Sequence, residues 1–575
     1  MALGHKQRII AKALGTARVG DNRAFDRAAE VGDFFAAFRE YHRAAKTCAA
    51  VGLAFHFAQQ ASVVQRMISF LAAIDPAFKV LAPRSADWLT ILPELAVAGL
   101  SLLCLLQAML LPKSLRALIP VTARTGLILV ALMSVVAGPW TQAADVESFA
   151  GLLRQNLPTD GVRAVFLLSA LLTSFLAERF LRERDAAVAD YHHVLLVVTA
   201  AFMLLVQSNH FVTFFLALET AAVGLYVLVG YLRRSEASLE AGVKYLVAGG
   251  LSSALLLMGI VLVYGALGAV PGVTDSLNFT QIGKALAAQS AAGAVSPLTL
   301  AGVALILGGV AFKLGAFPFH AWIPDVYQGA PTPTTAFLGT ASKAAGAFTL
   351  LILATGPFAP LAVKVAPLLA VGAVLTLLVG NLGALATTDV KRTLALSGVS
   401  HAGFILAAVT AALVLPGVDA FGYDVEQVVV LYLLAYVVGT FLTAQALVAL
   451  PALEDHRRPQ LALRGLLRRS PLLGGALGFG IGSLAGIPPS VGFIAKLLVL
   501  ALLVAAKLWW VLGAALIGVA ISIHYYFSIL REAVVRPTED DEELAPLELP
   551  LGTRVLVFVL AAASLLGGLF MLAGR

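Results

Sequence analysis

Two lysines stand where a lysine is costly. Lys313 closes the uncharged run that begins at Pro297, and Lys343 sits in the next apolar run, in Thr340-Ala341-Ser342-Lys343-Ala344-Ala345-Gly346. Between them come Pro318, His320, Pro324 and Asp325-Val326-Tyr327-Gln328-Gly329-Ala330-Pro331-Thr332-Pro333. An ionisable side chain at bilayer depth is rare and as a rule faces a protein interior or a hydrated path. Lys313 is too far from the ends of its run to snorkel easily. A lysine caught between desolvation and a carboxylate partner becomes a switchable proton carrier. Pro318 breaks the backbone ladder just beyond it, and broken helices at membrane depth line buried or watery cavities, as in transporters. The alternative is a lysine held by carbonyls for packing alone. His320 reads equally as a relay group or as a structural histidine.

Further ionisable residues extend the pattern. Glu219 lies in the middle of a long uncharged run, and Lys244 lies near the start of the following one. An intramembrane carboxylate needs a cation or a shared proton, so Glu219 and Lys244 are expected to pair. The other reading has Lys244 snorkelling and Glu219 as a structural acid. In the second half, Leu484-Ala485-Gly486-Ile487-Pro488-Pro489-Ser490-Val491-Gly492-Phe493-Ile494-Ala495-Lys496 carries another lysine beside prolines. The prolines precede Lys496 but follow Lys313, a reversal taken here as the mark of an inverted repeat. His401, after Ser397-Gly398-Val399-Ser400, either hands protons between the halves or is a structural histidine bonded to Ser397 or a carbonyl. Asp389, Lys391 and Arg392 read as a cytoplasmic turn. His524, Tyr525 and Tyr526 read as a polar cluster near an exit or an interfacial aromatic belt.

The elements that must position these residues are membrane helices. Of 575 residues, 59% are hydrophobic and 13% charged, against about 45–50% and about 25% in a soluble domain. The runs exceed the roughly 20 residues that cross a bilayer as helix, and no alternating strands of a barrel are visible. The fold class is therefore an all-α polytopic membrane protein with about fourteen transmembrane helices. They fall near 90–111, 123–140, 163–181, 191–207, 211–232, 241–267, 298–324, 333–355, 360–387, 392–415, 425–450, 472–505, 507–531 and 551–573. Lys113, Arg116, Arg182, Arg184, Arg233, Arg234, Lys391, Arg392, Arg457, Arg458, Arg464, Arg468, Arg469, Arg531 and Arg536 follow odd-numbered segments. That alternation is the positive-inside pattern, and it puts both ends of the 88–575 core on the non-cytoplasmic side. A shift of five segments inverts a unit, so segments 4–8 and 9–13 are read as two inverted five-helix repeats with broken helices 7 and 12. Residues 1–87 form an N-terminal extension that is basic over 1–46. Either 48–74 adds a poor span or interfacial helix, or the natural start is Met67.

Several classes are excluded. Cys48 and Cys104 form no metal-spaced cluster, and no phosphate-binding glycine loop is present, so no haem, iron–sulfur, metal or nucleotide site is expected in this chain. The net charge of +7 is spread over loops and bears on topology rather than on a nucleic-acid partner.

Phe312-Lys313-Leu314 through Pro318-Phe319-His320, then Trp322-Ile323-Pro324-Asp325 through Pro333, resemble subunit N of proton-translocating NADH:quinone oxidoreductase (respiratory complex I). Asp389-Val390-Lys391-Arg392 with Ser400-His401-Ala402-Gly403, and Ala485-Gly486-Ile487-Pro488-Pro489 with Gly492 to Lys496, match the same family of antiporter-like membrane subunits. The resemblance covers roughly 88–573. It implies fourteen helices with two inverted repeats, and a midplane proton path of Glu219, Lys244, Lys313, Lys343 and Lys496. It implies no cofactor in this chain, with NADH, FMN, iron–sulfur clusters and quinone in partner subunits. It also implies the other membrane-arm subunits as partners and the cell's inner (plasma) membrane as the location. The run after Glu219, Thr220-Ala221-Ala222-Val223, departs from the family's usual sequence. The competing functions are a subunit of a multisubunit cation/proton antiporter and a structural subunit with vestigial lysines.

Overall fold

Apolar segments with polar caps become helices, and the caps recur here. The computed structural model describes residues 83, 85–137, 145–268, 270, 272–450, 463–535, 547 and 549–573. The chain divides into two units, Met1–Ala82 and Pro83–Arg575. The expectations for 1–66, 48–74 and Met67 lie outside the described residues.

The described helices are α1 (Leu92–Leu110), α2 (Leu118–Ala137), α3 (Leu157–Arg182), α4 (Val188–Val206), α5 (Phe211–Val229) and α6 (Glu236–Gly268), then the short polar-end helix α7 (Phe279–Ala291). Next come α8 (Pro297–Leu314), α9 (Ile323–Gly329) and α10 (Thr332–Thr355). After these follow α11 (Ala362–Ala386), α12 (Val390–Val414), α13 (Val425–Val448), α14 (Pro471–Ala485), α15 (Val491–Ala505), α16 (Trp509–Val534) and α17 (Leu551–Ala573). Among the described residues twelve helices are long and apolar enough to cross a membrane, and α2, α14 and α15 are shorter apolar helices. The chain is a nearly all-helical, multi-pass membrane protein.

Asn156 and Thr159 form a capping box at the start of α3, and Asp424 and Gln427 form one at the start of α13. Ser296, Ser470 and Ser490 accept backbone N–H groups at the starts of α8, α14 and α15. These caps satisfy donors that no lipid could. α10 and α12 are buried along almost their whole length, 94% and 89% of the spanning window, so they form the centre of the bundle. Two small antiparallel hairpins, β1 (Val146–Ser148) with β2 (Leu153–Gln155) and β3 (Asp419–Ala420) with β4 (Tyr423–Asp424), lie with α7 at the end opposite the Lys/Arg-bearing loops. Sequence patterning missed these three polar features, and it also missed a π-helical turn, Leu338–Ser342, immediately before Lys343.

The two helix breaks share a construction. α8 ends at Leu314 with Gly315 in the left-handed region (φ 78°), and α14 ends at Ala485 with Gly486 likewise (φ 81°). In each, the residue after the glycine bonds back five residues, Ala316 N to Ala311 O and Ile487 N to Gly482 O, a Schellman closure. A cis proline, Pro318 or Pro489, stands three residues beyond each glycine. Both breaks thus run in the same chain order, and the place of Lys313 is taken in the second by Leu484. The proline–lysine reversal does not come from inverting a unit, which leaves N-to-C order unchanged. It arises because Lys496 lies beyond its break and Lys313 before it.

Candidate functional site

The breaks and the central helices gather three of the lysines into one buried row, with Glu219 half-buried near Lys313. Lys313, in the last turn of α8, is 7% exposed; Lys343, just after the π turn of α10, is 2%; Lys496, in α15, is 6%. Glu219 is half-buried at mid-α5 and accepts a hydrogen bond from Ser253 Oγ on α6. The neighbouring Ser252 Oγ donates to Gly309 O, one turn before Lys313. Glu219 is the carboxylate whose charge reaches Lys313. The Lys313 ammonium also lies 5.8 Å from the Phe312 ring centroid.

From Lys313 the row continues through backbone carbonyls. Lys343 Nζ donates to Gly398 O at 2.7 Å and reaches Leu314 O at 3.5 Å. Lys496 Nζ donates to Ala485 O at 2.9 Å. Leu314 and Ala485 are equivalent, each the last residue of a half-helix before its capping glycine. Helix C-termini leave carbonyls free and carry partial negative charge, so both breaks present an acceptor to an ammonium. The approach is close. A Cβ on Gly346 would fall 2.6 Å from Leu314 N, and one on Gly486 would fall 2.9 Å from Lys496 Cδ.

His401 lies within reach of both Lys343 and Lys496. It is buried in α12, one turn beyond Gly398, and the charges of both Lys496 and Lys343 reach it. Its Nδ1 pairs with Tyr432 Oη at 2.7 Å and its Nε2 with Tyr526 Oη at 3.3 Å. Tyr526 Oη also pairs with Ser397 Oγ. Tyr525 Oη donates to Asn381 Oδ1, and Asn381 Nδ2 donates to Ser400 Oγ. Tyr525 and Tyr526 are therefore core residues of a hydroxyl network, a polar cluster and not an interfacial belt, while His524 is exposed. The partners of His401 are tyrosines, not Ser397 or a carbonyl alone. Tyr432 and Tyr436 stand four apart in α13, a one-face spacing that could have marked them in the sequence. A cavity of about 50 Å³, lined by Tyr327, Lys391, Ser397, Tyr436 and Leu484, lies on the basic-end side of this network.

Two expected site residues fall elsewhere. Lys244 does not pair with Glu219. It is nine residues before Ser253 on α6, or about 13 Å along a helix, and it bonds Glu240 at 2.7 Å and Asp325 at 2.9 Å instead. Asp325 also takes Arg392 at 2.6 Å, and Arg392 bonds Gln328. Lys391 is buried and donates to Ala330 O, and Asp389 caps α12 through Arg392 N. The stretch read as a turn is thus the clamp by which Asp325, Gln328 and Ala330 tie α6, α9 and α12 at the basic end. His320 stacks on Phe317 at 5.8 Å, and its buried Nδ1 has no hydrogen-bond partner among the described residues. Among the described residues no group of three or more His, Cys, Asp or Glu is placed to hold a metal.

A helical membrane protein with broken helices and a buried row of lysines defines a class, the antiporter-like subunits. The chain belongs to the family described as NADH:quinone oxidoreductase/Mrp antiporter, TM, which it matches over residues 208–522. It is 42% identical to NADH-quinone oxidoreductase subunit N 1 of Opitutus terrae, over 84% of this chain and 95% of that protein. With subunit N of Methylococcus capsulatus it shares 39% over 64% of this chain and 71% of that one. A chain of respiratory complex I from Thermus thermophilus superposes with a TM-score of 0.66 at 30% identity, covering 84% of this chain and 98% of that one. A chain of the Mrp complex from Dietzia sp. shares the fold, with a TM-score of 0.71 at 19% identity over 85% of this chain and 95% of that one.

Proposed function

We propose that this chain is a membrane-arm subunit of a proton-translocating NADH:quinone oxidoreductase. It moves protons through a midplane row while electrons pass from NADH to quinone in other subunits. The observation that carries the reading is the row Glu219, Lys313, Lys343, His401, Lys496: the Glu219 charge reaches Lys313, Lys343 Nζ meets the carbonyl of Leu314 next to Lys313, and the charges of Lys343 and Lys496 reach His401. Charges in a low-dielectric interior act on one another over such distances, so moving one proton biases the next site. The basic-end cavity at Lys391 and Ser397 supplies the inlet, and His401 with its tyrosines links Lys343 to Lys496. Lys244 acts from the basic-end clamp rather than as a partner of Glu219.

In this reading the 88–575 core crosses the inner (plasma) membrane fourteen times as two inverted five-helix units, with its Lys/Arg loops in the cytoplasm. NADH, FMN, iron–sulfur clusters and quinone belong to the partner subunits. The test is Lys313→Ala in the assembled complex, reconstituted in proteoliposomes. Protons pumped per electron should fall several-fold. Unchanged pumping together with unchanged quinone reductase activity would overturn the mechanism. Co-purification with cation-antiporter subunits and no redox subunits would assign the chain to a multisubunit antiporter instead.

A further inference from the structure

The bundle holds a second buried ionic cluster, away from the midplane row. Arg163 of α3, 1% exposed, reaches both carboxylate oxygens of Glu94 in α1. It also donates to Asp160 Oδ1 at 2.8 Å and Thr90 O at 2.8 Å. Gln207, at the end of α4 and 1% exposed, donates from Nε2 to Glu94 Oε1 at 2.6 Å and to Met203 O, two acceptors that fix its amide orientation. Gln155 Nε2 donates to Asp160 Oδ1 at 2.9 Å.

The cluster is one positive charge short, because a single guanidinium faces two carboxylates. Its hydrogen bonding is also incomplete. Asp160 Oδ2 and Gln207 Oε1 are buried and have no partner among the described residues. Both atoms are acceptors, so what the cluster lacks is a donor. An unmet acceptor and a net charge are each costly away from water. One proton shared by the two carboxylates answers the missing charge.

The surroundings permit that proton to exchange. Thr159 and Gly161, flanking Asp160, and Ser208, next to Gln207, line two cavities of about 390 and 560 Å³ at the end of the molecule opposite the basic loops. Arg154, Lys284, Asp145, Asp424 and Glu426 line the same cavities, which suits them to water. Asp160 itself, 7% exposed, stays one residue layer inside.

We propose that the Asp160 and Glu94 carboxylates, joined through Arg163, form an outward-facing proton-holding site that nothing in the midplane row includes. The pair holds one proton between its two carboxylates. Release passes it to a water in the adjoining cavity, leaving both carboxylates ionised, and reloading takes one proton from a hydronium. The side assignment rests on the orientation given under Proposed function; the protonation of the cluster does not.

The test is infrared difference spectroscopy on the purified complex with Asp160→Asn, alongside pumping by the same complex in proteoliposomes. The intact complex should show a buried protonated-carboxyl band that shifts in deuterated water and is absent from Asp160→Asn. The variant should assemble and keep quinone reductase activity while its protons per electron fall. Thr159→Ser, which keeps the hydroxyl and leaves the cluster intact, should keep both band and pumping and so control for disturbance of α3. The same band in wild type and Asp160→Asn overturns the protonation. A band that needs sodium to be absent from the buffer assigns a sodium ion to the site and overturns it too. A lost band with unchanged pumping overturns the transport role. If Lys313→Ala left pumping unchanged while the Asp160 band was present, the midplane mechanism would fail and the proton-holding site would stand.

Discussion

A lysine ammonium in an apolar interior is governed by its acceptors, and here those acceptors are main-chain carbonyls at helix breaks. A carbonyl cannot take up the proton a lysine gives away, so Leu314 O and Ala485 O hold Lys343 and Lys496 without competing for their protons. The tyrosine hydroxyls around His401 differ, because each can both donate and accept. Tyr526 meets Ser397 as well as His401, so Tyr526→Phe removes the bridge while keeping the ring. The hydrogen bond itself is worth about 1 kcal/mol, so the complex should assemble with nearly normal thermal stability. Protons per electron, measured with a trapped pH dye, should drop while Tyr264→Phe, on the exposed face of α6, leaves them unchanged. At the basic end, Asp325→Asn removes the carboxylate shared by Lys244 and Arg392. The groups are about one-third to one-half exposed, so the loss should be no more than about 1 kcal/mol. It should diminish further in high salt, as a melting curve at two ionic strengths would show.

At the scale of elements, function depends on how closely α8 and α10 approach. Gly346 lets the Leu314 backbone lie against α10, and the Lys343–Leu314 contact follows from that. Gly346→Val puts a branched side chain where a single Cβ already falls 2.6 Å from Leu314 N. Overpacking against rigid backbone costs about 1–3 kcal/mol, and the helices separate, so both melting temperature and pumping should fall. Gly486→Ala meets only the flexible Lys496 stem, but its left-handed backbone costs an L-residue about 1–2 kcal/mol. It should lower stability with less effect on pumping. The element order, both breaks and the three buried lysines were legible in the sequence, because hydrophobic run length, glycine and proline are local signals. The partner of Lys244 was not read correctly, although the sequence held the warning. Lys244 is near the start of its run and Glu219 is in the middle of its own, so neighbouring helices could not bring them level. The Glu94–Arg163–Asp160 cluster was missed for a different reason. Its members lie close to the ends of their runs, where charges pass for solvated caps, and only the packing of α1, α3 and α4 buries them.

For the whole molecule, direction decides what the site does. The same buried row would export or import protons depending on which end meets the cytoplasm. The basic loops, with Lys113, Arg116, Arg233 and Arg234, lie at one end, and α7 with the two hairpins closes the other. In the orientation proposed above, the first end faces the cytoplasm. Impermeant thiol labelling checks this in the assembled complex, in a background with Cys48 and Cys104 replaced by serine. Ser114, beside the basic loop after α1, and Ser290, near the end of α7, are both exposed, and Ser→Cys changes little else. Ser290→Cys should react in spheroplasts, where only the outer face of the plasma membrane is open to the reagent. Ser114→Cys should react only in inverted vesicles or after the membrane is opened. The reverse pattern would turn the molecule over. The cavity at Lys391 would then open outward, the Asp160 cluster would face the cytoplasm, and the proposed direction of pumping through the row would be wrong even with every buried contact as described.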